Sequence, residues 1–382
     1  MLRAVVRAFG DPRQVIALEE AERPAPGPGE VEIRILRAAI NPSDLIPVTG
    51  AYRSRTTLPF VPGFEGVGEI VRLGKGVRGR PCPPLSCRTS PPQGGRPAGG
   101  EDGAQTATSA MDETVLHPIS PPEGEMSGRT EGGEPLADAT NGVSLSLGQR
   151  VLPIGASGLW QQYLIRPADR CFALPDDLSD DQAAMAYVNP LTAFRLVDAV
   201  REHFGTAAGQ RVGVTAAASA IGKMLLVLLA EAGFQPVALV RSATTAQRLA
   251  ESFSGEIVAQ APLPPLDAVL DAVGGEPGNG LFRHIRRGGA FVQYGALSGA
   301  QLDPMLVAAR RDEVAFSFLW LRNWVHSAPR AAIEAAFERS FAGIRAGHLG
   351  SAVDGVFALS ELPAALARQD DTARTGKLLL AP

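Results

Sequence analysis

Hydrophobic positions recur every second residue through the opening stretch of the chain. Val31, Ile33 and Ile35 point one way while Glu32 and Arg34 point the other, the period of a half-buried strand. Leu2–Val6 reads as a strand before it, and the turn formers of Pro24 to Gly29 separate the two. Gly66–Leu73 gives a third strand, with glycines that allow bulges or close packing. Leu147–Leu152 is a turn into another strand, and Gln161–Arg166 adds one more. Short strands at this spacing predict a small, partly open β-barrel.

After Ser179 the pattern changes to helices. Asp180–Tyr187 and Leu191–His203 are predicted helices, with Asn189-Pro190 as the break between them. Gly209–Thr215 is a strand, and a small-residue turn, Ala216–Gly222, follows it. The next helix carries Ile221, Met224, Leu225, Leu228, Leu229 and Ala232 as one apolar stripe and ends at Gly233. Further units are a strand at Gln235–Val240, a helix through Gln247–Leu249 and a strand at Asp267–Asp271. A helix near Leu281–Arg287 and a strand at Gly289–Tyr294 complete the series. This alternation predicts an α/β architecture: a doubly wound parallel sheet with helices on both faces, and ligands beyond the carboxyl ends of its strands.

Two stretches obey neither period. Asn41–Gly68 is framed by Pro and Gly clusters, too broken for a helix and too rich in turn formers for a central strand. Its isolated Tyr52 is a candidate catalytic group, because loops on rigid scaffolds often carry chemistry; a tyrosine packed at a loop rim is the plain alternative. Arg53 and Arg55 read as solvated charge, with steering of a substrate phosphate as the other reading. From about Gly79 to Ser146 no hydrophobic period exists, and ten of the twenty positions from Pro81 to Gly100 are Pro or Gly. That composition predicts a disordered insertion. A zinc lobe is rejected, since Cys82, Cys87 and His117 lack a fourth partner at a workable spacing.

Composition narrows the function classes. The 382 residues suffice for two domains. A net charge of -4 gives no electrostatic case for nucleic acid or an anionic membrane as partner. No apolar run approaches the ~20 residues that span a bilayer. Three cysteines form no disulfide framework, and no signal or transit sequence precedes the first strand. A reducing, cytoplasm-like compartment is expected, with a mitochondrial address left open for a eukaryotic source.

The turn at residues 216 to 222 opens a helix straight after a strand, so its amides and positive dipole end suit a pyrophosphate. Only Gly222 of the usual glycine fingerprint is present, and simple tight packing stays open beside nucleotide binding. Arg241, at the end of the second strand, bears on the choice of cofactor. An acidic residue there binds ribose hydroxyls, whereas a cation accommodates a 2′-phosphate. Arg241 and Ser242 therefore favour NADPH over NADH, against the bland alternative of a surface arginine.

These residues resemble the medium-chain dehydrogenase/reductase family, in which a GroES-like β domain precedes a Rossmann domain and the tail returns to the first. The expected division is 1-180 (with the insertion at about 79-146), 181-325 and 326-382. Zinc-containing members carry a cysteine near Asn41–Asp44 and a histidine where this chain has Phe64, so the chain is similar to the zinc-free branch. Within it, four stretches resemble the 2-enoyl thioester reductases of the mitochondrial fatty-acid type. They are Asn41–Asp44 with Tyr52, Val188–Ala193 with Arg195, Ala218–Gly222 leading to Arg241-Ser242, and Leu319–Trp324.

Carried over by position, the resemblance makes Tyr52 the active-site tyrosine. It implies NADPH contacts at Asn189, Ser219, Ala220, Ile221, Arg241, Ser242, Tyr294, Gly295, Ala296, Leu297, Leu319, Trp320, Leu321 and Lys377. Asn41, Phe64 and Trp324 would line the substrate pocket, and no metal is expected. Ala218 replaces the family's asparagine in the turn, Phe64 replaces another, and Ala243 stands where a second arginine is usual.

The implied reaction is hydride transfer from NADPH to the β-carbon of a 2-enoyl thioester, then protonation of the α-carbon. A phenol, which ordinarily titrates near pH ~10, is a proton source at neutral pH. The alternatives are a quinone or general enone reductase on the same fold, and a non-catalytic NADPH-binding sensor. The family is commonly homodimeric through its Rossmann sheets.

Overall fold

A computed structural model describes residues 1–77, 144–205, 209–259, 262–371 and 374–382. Most of the stretch read as an insertion lies outside these residues. Its last part does not belong with it: Leu145 is buried among the apolar side chains of the first domain.

The first part of the chain runs β1 (Leu2–Val6), α1 (Pro12–Val15), β2 (Ile16–Glu20), β3 (Glu30–Ile40), α2 (Pro42–Thr49) and β4 (Gly66–Leu73). It continues with β5 (Arg150–Pro153), β6 (Tyr163–Pro167) and β7 (Cys171–Ala173). The long strand β3 is its spine. Along one edge β3 pairs β4; elsewhere its first half takes β6 and its last three residues take β15 (Lys377–Ala381), all antiparallel. The full order is β14-β15-β3-β4-β5-β7, with β14 being Val353–Ala358, so the C-terminal strands complete the sheet that the N-terminus begins.

The middle of the chain adds α3 (Asp180–Ala183), α4 (Val188–Phe204), β8 (Arg211–Thr215), α5 (Ala220–Glu231), β9 (Gln235–Leu239) and α6 (Ala243–Ala250). Then come β10 (Glu256–Val258), β11 (Leu266–Asp271), α7 (Gly275–His284), β12 (Ile285–Gln293), α8 (Pro304–Ala309) and β13 (Val314–Phe318). All six strands are parallel, in the order β10-β9-β8-β11-β12-β13. That is the doubly wound order, with its reversal between β8 and β11. Every residue of β11 is buried, as a central strand covered on both faces requires. Helices α9 (Leu321–Ser327), α10 (Arg330–Arg345) and α11 (Leu362–Gln369) lead back to the first sheet.

Several local expectations are corrected. Asn41–Gly68 does contain a helix, α2: Pro42 stands at its first position, where no intrahelical N–H is needed, and Gly50 ends it in a left-handed turn. Asn189-Pro190 is no break. Both lie in the first turn of α4, where a proline removes a donor that had no internal acceptor. The helix predicted at Asp180–Tyr187 is only α3, and the one predicted near Leu281–Arg287 starts earlier, leaving Arg286 and Arg287 in β12. Strands β10, β13 and β14 carry no signal strong enough to be foreseen.

Glu65 links the two sheets. Its carboxylate is 1% exposed. Oε1 accepts the N–H groups of Tyr187 (3.0 Å) and Val188 (2.7 Å), the first amides of α4, and Oε2 accepts the side-chain amide of Asn41 (3.0 Å). An anion at a helix N-terminus satisfies orphan donors and meets the positive dipole end. Gly63 sits just before it with φ 96°, its α-carbon against the Trp160 ring, so that any β-carbon would strike the indole. Glu65→Ala would leave three buried donors unpaired and should destabilise the protein by about 3 kcal/mol or more. Urea unfolding checks this; a loss below about 1 kcal/mol would mean that α4 is anchored elsewhere.

Candidate active site

At the carboxyl ends of the parallel strands, connected loops form one rim. Ser219 caps α5, its Oγ accepting the Gly222 N–H at 3.1 Å, which leaves the amides of Ala220 and Ile221 as first-turn donors. Gly222 is fixed by contact: a β-carbon there would lie 2.6 Å from the carbonyl oxygens of Ala216 and Ala217. Ala216 adopts φ 48° without being glycine, a conformation that costs about 1 kcal/mol and marks a turn held by its surroundings.

Beyond β9, Ser242 caps α6 and Arg241 is exposed, with no carboxylate paired to it among the described residues. Beyond β12, Tyr294 and Gly295 donate their amides to the Asp271 carbonyl, and Leu297 donates to that of Ala272. The Tyr294 hydroxyl is buried without a hydrogen-bond partner, and burial pushes its pKa upward. Ala296 lies in the same loop. Beyond β13, Leu319 donates to the Gln293 carbonyl at 2.9 Å, Trp320 precedes α9 and Leu321 begins it. The rim therefore gathers the expected cofactor residues of four separate strand ends.

What ties this rim together lies outside the expected site residues. Thr215, ending β8, donates its hydroxyl to Asp271 Oδ1 (2.8 Å) and accepts the Ala272 amide (2.8 Å). Asp271 also accepts the amides of Val273 and Gly274 (3.0 and 2.8 Å). Both side chains are buried at the point where the strand order reverses. An acid closing the strand directly after the apolar run Ala268–Leu270 was the available signal.

Tyr52 lies on the barrel side, in the turn after α2. It leads the 3₁₀ turn Arg53–Arg55 and is 38% exposed. Both arginines are exposed, as expected of solvated charge, and each also stands near a ring: the Arg53 guanidinium is 5.9 Å from the Phe9 ring centre, and that of Arg55 is 5.7 Å from the Trp320 ring centre. The second contact brings the Tyr52 turn up to the end of β13. Trp324 is half-buried, packed on the Rossmann core with Arg195 5.7 Å from its ring centre.

Three expected residues lie elsewhere. Asn41 and Lys377 are buried together, the Lys377 ammonium donating to Asn41 Oδ1, so neither lines an open surface. Asn189 is the second residue of α4, beside the amides that Glu65 holds. Asp44 completes this buried group. It accepts the backbone N–H of Asn41 through Oδ2 (2.6 Å) and that of Phe64 through Oδ1 (2.8 Å). Burial raises its pKa to about 7, against the pull of those two N–H bonds; the nearby Glu65 charge adds to the rise and Lys377 opposes it. Burial also lowers the pKa of Lys377.

The profile of the alcohol dehydrogenase GroES-like domain matches residues 27–121, and that of a zinc-binding dehydrogenase matches residues 248–380. The chain belongs to the medium-chain dehydrogenase/reductase superfamily. Its class is that of an oxidoreductase. Bovine mitochondrial enoyl-[acyl-carrier-protein] reductase is 24% identical over 341 residues, covering 85% of this chain and 73% of the relative. The Xenopus tropicalis enzyme is 23% identical, covering 84% and 77%. Among solved structures, an NADPH:quinone reductase from Bacillus thuringiensis superposes with a TM-score of 0.75 at 25% identity, covering 100% of this chain and 98% of that one. Escherichia coli quinone oxidoreductase complexed with NADPH gives 0.74 at 18%, covering both chains fully, which is a likeness of fold.

Zinc does not fit this site. Phe64 has no ligand atom, and among the described residues no three His, Cys, Asp or Glu side chains gather to hold a metal. No helix among the described residues is long and apolar enough to cross a membrane.

Proposed function

We propose that the protein reduces the carbon–carbon double bond of 2-enoyl thioesters with NADPH. The observation that carries this reading is the approach of the Tyr52 turn to Trp320 across the cleft. A tyrosine three residues before Arg55 supports a phenol near the rim on which a nicotinamide cofactor would lie, and the likeness to enoyl reductases over most of the chain agrees with it. The rim fits such a cofactor. The free amides of Ala220 and Ile221 suit its pyrophosphate, Arg241 and Ser242 suit a 2′-phosphate, and Tyr294 offers an unpaired hydroxyl.

Bound NADPH would supply a hydride to the β-carbon. The remaining work falls to this chain. Negative charge grows on the thioester oxygen and α-carbon, and the Tyr52 hydroxyl is assigned to deliver the proton to the α-carbon. Trp324 and Phe64 would exclude water from the acyl side. Arg55, held against Trp320, would keep the tyrosine turn near the cofactor rim. A quinone or enone reductase is the second reading, favoured by the Bacillus thuringiensis structure and by apolar Phe64. A homodimer would extend the parallel sheet through its edge strand β13, whose last residue, Phe318, is exposed.

NADPH oxidation followed by absorbance with crotonyl-CoA, longer 2-enoyl-CoAs and a 1,4-quinone separates these readings. Turnover of the thioesters is expected, and turnover of the quinone alone would refute the assignment. Tyr52→Phe should lower kcat for thioesters by at least about tenfold while NADPH still binds; an unchanged rate removes Tyr52 from the chemistry. Arg241→Ala should raise Kd for NADPH by about tenfold and leave NADH nearly unaffected. Equal losses would contradict a 2′-phosphate site. Sedimentation at a single chain's mass would exclude the dimer.

A further inference from the structure

The chain leaves β3 at Asn41 and reaches Phe64 ahead of β4, with Tyr52 between; Phe60 also pairs with Val6, and Val48 accepts the Gly10 amide. Both ends meet one carboxylate: Asp44 Oδ2 takes the Asn41 N–H and Oδ1 takes the Phe64 N–H. Asp44 is 1% exposed, so its carboxylate is held largely by protein donors. An ionised carboxylate accepts at both oxygens with full charge, whereas the neutral acid keeps only a weaker acceptor at its hydroxyl oxygen. One proton therefore weakens one side of the clasp.

We propose that Asp44 is a positioning residue for Tyr52, closing the root of the Tyr52 segment when ionised and loosening it when protonated. This rests on the reductase reading above. The charged groups around it come from three places: Glu65 ahead of β4, Lys377 opening β15, and Arg374 before that strand, which acts on Lys377. Glu65 disfavours the ionised clasp and Lys377 favours it. Burial holds the change of state at about 7, inside the working range of most enzymes. The folded pKa lies above the ordinary carboxylate value. The stability this group contributes is thus complete below the unfolded pKa and is lost as pH rises through about 7. The closed clasp is the better positioned state and the less stable one.

Amide exchange of the ligand-free protein at about pH 6 and about pH 8, corrected for intrinsic rates, tests the clasp without any turnover. Amides within Ile46–Val61 should gain at least about threefold protection at the higher pH relative to those of β3 and β4, which follow the global loss of stability. In steady state, kcat should rise through about pH 7 with little change in NADPH affinity. Lys377→Met should move that limb to higher pH, because the ionised form loses its cation. Asp44→Asn offers one acceptor oxygen in place of two, and should lower kcat about tenfold and flatten the limb. The same exchange at both pH values, or an unchanged limb in Asp44→Asn, overturns the proposal. Should no thioester or quinone turn over, the reductase reading fails, and the exchange measurement still decides the clasp.

Discussion

The Glu65 carboxylate holds the two halves of the molecule in one geometry. A buried anion costs several kcal/mol unless every oxygen is satisfied. Here one oxygen takes two amides from the start of α4 and the other takes the Asn41 side chain. The donors come from opposite domains, so neither domain alone can satisfy the charge. Asn41 then extends the arrangement to Lys377 through its other amide atom, and by its backbone to Asp44. One buried polar group thereby joins β3, α2, β4, α4 and β15.

This arrangement determines what each half can contribute to the cleft. The barrel presents a turn whose root is fixed at Asn41 and Phe64 and whose tip reaches Trp320. The Rossmann side presents a rim in which Thr215 and Asp271 lock two adjacent strand ends together. Rigid roots with an exposed tyrosine between them suit a site that must admit a substrate and then hold it. The strained Ala216 fits the same logic, since a turn that departs from its preferred conformation persists only where its surroundings over-determine it.

Much of the fold was legible because it rests on short-range pattern. The apolar face of β3 at Val31, Ile33 and Ile35 and the stripe of α5 appear in the sequence as they appear in space, but Glu32, expected beside Arg34 on the open face, is buried between Arg23 and Arg72. Arg241 and Ser242 were legible because strand, turn and helix are contiguous and place them at a strand end by counting. Misreadings fell where a local rule met a tertiary exception. Proline was read as a break at Asn189-Pro190, yet at the first turn of a helix it removes nothing that was paired. In α2, Asp44 reaches back to the Asn41 amide and steadies a helix that its two prolines seemed to forbid.

By itself, then, the sequence determined the two architectures, their order and the loops that carry the candidate cofactor contacts, since these follow from periodicity and from residues close in the chain. Only the tertiary structure decided the company of Glu65, Asp44, Asn41 and Lys377. Lys377 lies far from Asn41 in sequence, and no period records their meeting. Tyr52 gains its meaning in the same way. The sequence offers a lone tyrosine among turn formers; the structure adds that its turn carries a cation over Trp320 and begins and ends near bonds to Asp44. Burial does the rest, because taking these charges out of water is what makes their pairing obligatory and their protonation responsive near neutral pH.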